Sequence, residues 1–192
     1  MALLKTHRAV ALLTLGVLAG CAEVGPAPKF PELTYDHLAP IPLDVAELRI
    51  VTAYQPPLDV PNVEHRAPTA PATAARRWAE DRLIATGARG RRAVFTIVNA
   101  AIVESELERS SGLRGLLTTD QSERYDAALE VQLEVFSATG KREGLATASA
   151  RRSRTVAENI TLNERERVWF ELTEKLMRDL NVELERSIRE LL

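Results

Sequence analysis

From Tyr125 to Val135 the chain alternates. Tyr125, Ala127, Leu129, Val131, Leu133 and Val135 are apolar, and Asp126, Glu130, Gln132 and Glu134 stand between them. A period of two predicts a strand with one face in a core and the other in water. Ser137–Lys141 reads as a turn, and Glu143–Val156 as the strand that returns. A two-residue turn at Thr139-Gly140 pairs Val131 with Ala148 and Leu133 with Ala146, which puts Ala146, Ala148 and Ala150 in the core. A three-residue turn puts Leu145, Thr147 and Ser149 there instead, because a slip of one residue exchanges the faces. The alanine register is the expected one, since a row of small residues lets a helix lie close to the sheet.

The longest helical period follows. Trp169, Leu172, Leu176, Leu180, Leu184, Ile188 and Leu191 recur every three or four residues, with Glu and Arg on the opposite side. Thr161-Leu162-Asn163-Glu164 fits a capping box, Thr161 capping and Glu164 reaching back. This helix is expected to cover the sheet; the alternative is a coiled coil with a partner helix along the same stripe. Upstream, Arg91–Leu107 is rich in Val, Ile and Phe and reads as a strand. Phe95, Ile97, Ala101, Val103 and Leu107 share one face, and Val94, Val98 and Ile102 the other. Its start is apolar on both faces, which places it centrally. Ser110–Asp120 reads as a loop.

Val45–Tyr54, ended by Pro56-Pro57, is a β-branched and aromatic run and reads as a first strand. Ala72–Thr86 has no proline and stops at Gly87, which suits a helix with glycine just past its end. Ala75, Trp78, Ala79 and Leu83 form its buried face. The order strand, helix, three strands, helix predicts an α/β (α+β) fold. It is a two-layer sandwich, β-α-β-β-β-α, in which two helices cover a mostly antiparallel four-stranded sheet. The first helix makes a crossover that sets the first strand parallel to a neighbour.

All 10 prolines lie between positions 26 and 71. That half reads as linker and wrapping, because proline lacks an amide hydrogen and fixes φ. Residues 21–43 read as a tether and 44–192 as a single domain. Extended, residues 22–43 reach on the order of 60–70 Å. Phe30, Leu33, Tyr35 and Leu38 argue that the segment from Phe30 onward is at least partly docked and so shortens that reach.

The opening stretch changes the picture most. Lys5 and Arg8 precede an apolar run from Ala9 to Leu18, and small residues lead into the single cysteine, Cys21. A charged start, an apolar centre and a small-residue end make residues 1–20 a secretory signal peptide. The run is too short for a membrane span, which needs about 20 apolar residues. Leu18-Ala19-Gly20-Cys21 resembles the lipobox of bacterial lipoproteins. The resemblance implies cleavage by signal peptidase II before Cys21, a diacylglycerol on its thiol and acylation of its new amino group. Position 22 is alanine, not the aspartate that in the enteric pattern retains lipoproteins in the inner membrane. By resemblance the protein is expected in the cell envelope, in the outer membrane and facing the periplasm. Two or three chains on Cys21 would hold it firmly, where one binds only marginally.

Charge excludes one class. The chain has 25 Lys+Arg against 27 Asp+Glu, a formal net charge of −2, and loss of Lys5 and Arg8 with the leader makes it more acidic. A nucleic-acid binder shows a basic face and a high pI. Chemistry is sparse. His7, His37 and His65 lie in the leader and the proline-rich half, so from Ala72 onward there is no histidine or cysteine for a zinc site or a nucleophile. There is no glycine-rich phosphate loop. No catalytic residue, metal or cofactor is expected. Arg151, Arg152 and Arg154 form a tight basic cluster, a candidate contact for an anion or a partner; Asp126 and Glu130 are expected to neutralise it across the hairpin. Beyond the lipobox, the mature part is broadly similar to small periplasmic α/β envelope lipoproteins. These include auxiliary lipoproteins of lipid-transport systems and lipoproteins that contact cell-wall synthases. That resemblance implies a non-catalytic lipoprotein that binds a protein partner or helps assemble an envelope complex. The alternative is a lipid-transport auxiliary with an apolar groove beside the final helix, which a ring or other homo-oligomer would favour, and an enzyme of unknown class comes third.

Overall fold

A computed structural model describes residues 29–87, 90–107, 121–157 and 159–191. Leu18, Ala19, Gly20 and Cys21, and the loop expected over Ser110–Asp120, lie outside the described residues. The central sheet has four strands in the order β2 (Glu47–Thr52), β4 (Arg92–Glu106), β5 (Gln121–Phe136) and β6 (Arg142–Ala157). β2 runs parallel to β4, joined through α1 (Pro71–Arg82), and the other pairs are antiparallel. α1 and α2 (Leu162–Leu191) lie on one side of it. The expected two-layer sandwich is present, with β4 central as its doubly apolar start requires.

A second, two-stranded sheet was not legible. β1 (Ile41–Leu43) pairs in parallel with β3 (Leu83–Ala85). α1 therefore ends at Arg82 and not at Thr86, because Leu83 turns extended (φ −93°, ψ 123°) to meet Ile41. Gly87 does not cap the helix. It lies so close to Asp44 that a side chain would strike the Asp44 backbone carbonyl carbon. Its role is to let two chain segments touch.

The hairpin pairs Val131 with Ala148 and Leu133 with Ala146, and Ala146, Ala148 and Ala150 are buried. The register is the expected one, but the turn is not. Ser137 N–H donates to the Lys141 carbonyl at 2.8 Å, and Gly140 N–H donates to the Ser137 carbonyl at 3.0 Å, so three residues make the loop. Gly140 takes φ +84°, which favours glycine. The register then shifts between Val135↔Gly144 and Phe136↔Arg142, leaving Glu143 as an extra residue on β6. That bulge restores the faces that the longer turn would have exchanged.

A second bulge corrects the faces of β4. The register shifts between Ile97 and Asn99, so the buried set is Ala93, Phe95, Ile97, Ala100 and Ile102. Ala101 and Val103, expected beside Phe95, lie on the outer face, and Ile102 lies in the core. β2 ends at this bulge, where Ala53 and Tyr54 both donate to the Ile97 carbonyl. Beyond it the proline-rich loop covers the edge of β4. Val63 N–H donates to the Ile102 carbonyl at 2.8 Å, and Ile102 N–H donates to the Glu64 carboxylate at 3.1 Å. Glu64 is buried and also accepts from Tyr54 OH at 2.8 Å. Burial, followed by this bond to Glu64, pushes the Tyr54 phenol well above its ordinary range.

α2 opens with the expected capping box. Glu164 N–H donates to Thr161 Oγ1 at 3.3 Å, and Thr161 N–H donates to the Glu164 carboxylate at 2.7 Å, which holds that carboxyl below its usual range. Trp169, Leu172, Leu176, Leu180, Leu184 and Ile188 are buried against the sheet. The stripe is therefore spent on its own domain, and the coiled-coil alternative has no face left. Trp169 meets Tyr125 of β5 edge to face at 5.7 Å.

Candidate functional site

Three places gather polar chemistry or open space. The first is the strap formed by residues 29–40. It is docked, as its apolar residues predict. Phe30 packs on Phe170 with ring centroids 5.1 Å apart, and Tyr35 N–H donates to Asp81 of α1 at 2.8 Å. Between strap and α2 runs an open groove of about 440 Å³, lined by Leu33, Tyr35, Leu38, Met177 and Val182 among others. The groove lies beside the final helix, where an apolar one is expected, but its lining is mixed, with Glu32, His37, Glu174 and Arg178 beside the apolar residues.

Behind the groove, Arg82 of α1 bonds to both the strap and α2. Its side chain is 3% exposed. It donates to the Ala39 carbonyl of the strap at 2.7 Å, to Asn181 Oδ1 of α2 at 2.7 Å and to Glu185 Oε1 of α2 at 2.8 Å. Trp78 Nε1–H donates to the same Asn181 oxygen at 2.8 Å, and the guanidinium lies 5.5 Å from the centre of the Trp78 ring. One buried cation thus ties strap, α1 and α2 together. Its hydrogen bond draws the Glu185 carboxyl below its ordinary value against the opposing effect of burial. The signal was present in the chain: Arg82 stands four residues after Trp78, on the apolar side of α1.

The second place is the far end of the sheet. Arg165 of α2 donates to Glu104 at 3.1 Å, to Tyr125 OH at 2.8 Å and to Glu123 at 2.8 Å. Tyr125 OH donates to Glu123 at 2.9 Å. Burial pushes the Glu123 carboxyl up, but the bonds from Arg165 and Tyr125 outweigh it, and the net direction is down. Two carboxylates converge here, and Arg165 pairs with both. A general acid needs the opposite, a carboxyl raised toward neutral pH. Among the described residues no group of three or more His, Cys, Asp or Glu is placed to hold a metal ion, and no helix is long and apolar enough to cross a membrane.

The third place contains the expected arginine cluster, which the fold divides. Arg151 stands opposite Ala128 on the outer face, and Arg152 stands opposite Ala127, a core residue, on the helix side. Neighbours on a strand point to opposite faces. Asp126 and Glu130 do not neutralise the cluster. Asp126 accepts two bonds from Arg124, at 3.0 and 2.8 Å, and Glu130 stands opposite Ser149. The counterion comes from α2, where Asp179 takes Arg152 in a bidentate pair at 2.5 and 2.7 Å. No cross-strand pairing could have revealed it, because the partner lies in the other layer. Arg154 lies with Arg152, Val168, Glu171, Leu172 and Lys175 around a small depression. Among the described residues Arg151 and Arg154 make no ion pair.

Among the described residues no helix or strand packs on the outer face. Val94, Thr96, Val98, Ala101, Val103 and Ala128 are half-buried there. Ala101 pairs with Ala128, and Ala128 with Arg151, so two alanines floor a shallow hollow of about 650 Å³ rimmed by Asn99, Arg124 and Arg151.

No family model and no curated protein matches the sequence. Among solved structures, the chain is similar to the rare lipoprotein B of Shewanella oneidensis, at 12% identity over 75% of this chain and 95% of that one, with a TM-score of 0.39. It is similar to a DUF330 protein from Xanthomonas campestris, at 11% identity over 78% of this chain and 93% of that one, with a TM-score of 0.29. A dodecameric PelC variant from Paraburkholderia phytofirmans aligns at 14% identity over 74% of this chain and 91% of that one, with a TM-score of 0.23.

Proposed function

We propose that the protein is a lipoprotein of the bacterial cell envelope. It is held on Cys21 in the outer membrane, faces the periplasm, and holds a protein partner without catalysing a reaction. Two features support the anchor: the Leu18–Cys21 resemblance to a lipobox, and the cationic and apolar leader before it. The observation that carries the partner-binding part is the one-sided cover of the sheet. Both helices lie on one face, and on the other, among the described residues, no helix or strand packs on Val94, Thr96, Val98, Ala101, Val103 and Ala128. A mixed apolar face of this kind, rimmed by polar groups, suits a protein partner.

A photo-crosslinking residue at Thr96 or Ala128 in intact cells tests this. The expected result is a discrete protein adduct at both positions that is lost in the Cys21→Ala variant. Absence of any adduct at both positions would contradict the reading. The groove between strap and α2 favours a second reading, a lipid-transport auxiliary whose ligand lies against Leu33, Leu38 and Met177. A lipid adduct from a crosslinker at Val182, with recovery of a transporter subunit, would put that reading first.

A further inference from the structure

We propose that the end of the domain carrying Arg151, Arg154 and Lys175 faces the membrane that holds Cys21 and rests on phospholipid headgroups. The proposal rests on the lipid-anchored reading above. Phe30 is fixed on Phe170, and the strap behind it is pinned by Asp81 and Arg82. From Cys21 to Phe30 a chain spans at most about 30 Å, half of what a segment reaching to residue 43 would allow.

Phe170 lies in the first third of α2. The depression lined by Arg154, Val168, Leu172 and Lys175 occupies the same height of that helix on another side. A helix with its side chains is about 10–12 Å across, so the arginine end lies within reach of the surface to which Cys21 is attached. The opposite end lies about 30 Å further along α2. There the β5–β6 turn meets the helix C-terminus, with Gly144 tight against Leu191. Its distance matches the whole length of the tether, so a short tether brings the arginine end down first.

Charge then fits the contact. Arg151, Arg154 and Lys175 are exposed, and none makes an ion pair among the described residues. The acids around them are Glu171, in the same depression, Asp126 and Asp179, which Arg124 and Arg152 occupy, and Glu104 and Glu123 beside Tyr125, opposite Arg154, which Arg165 occupies. Guanidinium groups pair with phosphate in a fixed fork, and basic groups near an anionic leaflet are drawn to it.

The test uses the full acylated chain in vesicles of phosphatidylethanolamine and phosphatidylglycerol with a headgroup-bound quencher. Cys21 is the one cysteine and is consumed by lipid, so a fluorophore can be placed on Ser153→Cys or Thr139→Cys alone. Both positions are exposed. The Ser153 label should be quenched more strongly than the Thr139 label. That difference should shrink at high ionic strength and be lost in an Arg151→Glu, Arg154→Glu double variant whose thermal melting is unchanged. Equal quenching, or stronger quenching at Thr139, would overturn the orientation. A difference that survives the double variant would overturn the headgroup contact, and would point to an acidic protein as the ligand of these arginines. A chain that does not float with the vesicles at all is a separate outcome, because it removes the anchor itself.

Discussion

Leu180→Asp should leave no folded domain. Leu180 is fully buried at the middle of the α2 stripe, between Leu176 and Leu184, on a helix that packs against β6. Removing the leucine forfeits about 1.5–3 kcal/mol of burial. A carboxylate in its place must be desolvated with no partner or be protonated, which costs several kcal/mol more. Against a total stability of about 5–15 kcal/mol for a domain of this kind, that sum is decisive. Circular dichroism melting and size exclusion would read it as loss of the cooperative transition. Val182→Asp, on the same helix but 66% exposed, should stay within about 0.5 kcal/mol of wild type. A Leu180→Asp protein that folds normally and loses only a binding partner would mean that the stripe is an interface and not core.

Arg82→Ala is the second large effect. The substitution strands the Ala39 carbonyl, leaves Asn181 Oδ1 with Trp78 alone, and takes from Glu185 its closest cation. Because Glu185 is 31% exposed, the loss falls below that of a fully buried pair, about 2–4 kcal/mol, or roughly 5–15 °C in Tm for a chain of this length. The loss should depend on pH with a fixed sign. Arg82 draws the Glu185 carboxyl down in the folded state. The stability this contributes is present above the unfolded carboxyl value of about 4.3, and it is lost as pH falls through the lower folded value. The gap between wild type and Arg82→Ala should therefore be full near neutral pH and narrow in acid. A gap that stays constant down to the acid transition would show that Arg82 acts by packing alone. Chemical shifts of Leu33 and Leu38 should move with it, since the strap is tied down through Ala39.

Period and capping carried most of the fold. β5 alternates with no interruption, so its faces could be read directly, and the Thr161–Glu164 box set the start of α2. What failed was local and had physical causes. One extra residue at the Ile97–Asn99 bulge turned Ala101 and Val103 outward and Ile102 inward, and a bulge leaves no mark in a run of apolar residues on both faces. β1 and β3 are three residues each, one with Pro42 in it and the other fused to the end of α1, too short to show a period. The hairpin reached its expected register by an unexpected route, a three-residue turn offset by Glu143.

The candidate sites were less legible than the fold because they depend on contacts between layers. Arg152 finds Asp179, and Arg82 finds Asn181 and Glu185, across distances in sequence that no pattern along the chain reports. The strap is the middle case. Its apolar residues predicted docking, while its partners, Phe170 and Asp81, needed the packed helices to be seen.

Everything assigned to the envelope depends on Cys21. Metabolic labelling of growing cells with a clickable palmitate analogue, followed by membrane fractionation, tests it most directly. The account predicts a labelled protein in the outer-membrane fraction, and an unlabelled one outside that fraction when Cys21→Ala is expressed. A wild-type chain that carries no label and is recovered in the soluble fraction would contradict it.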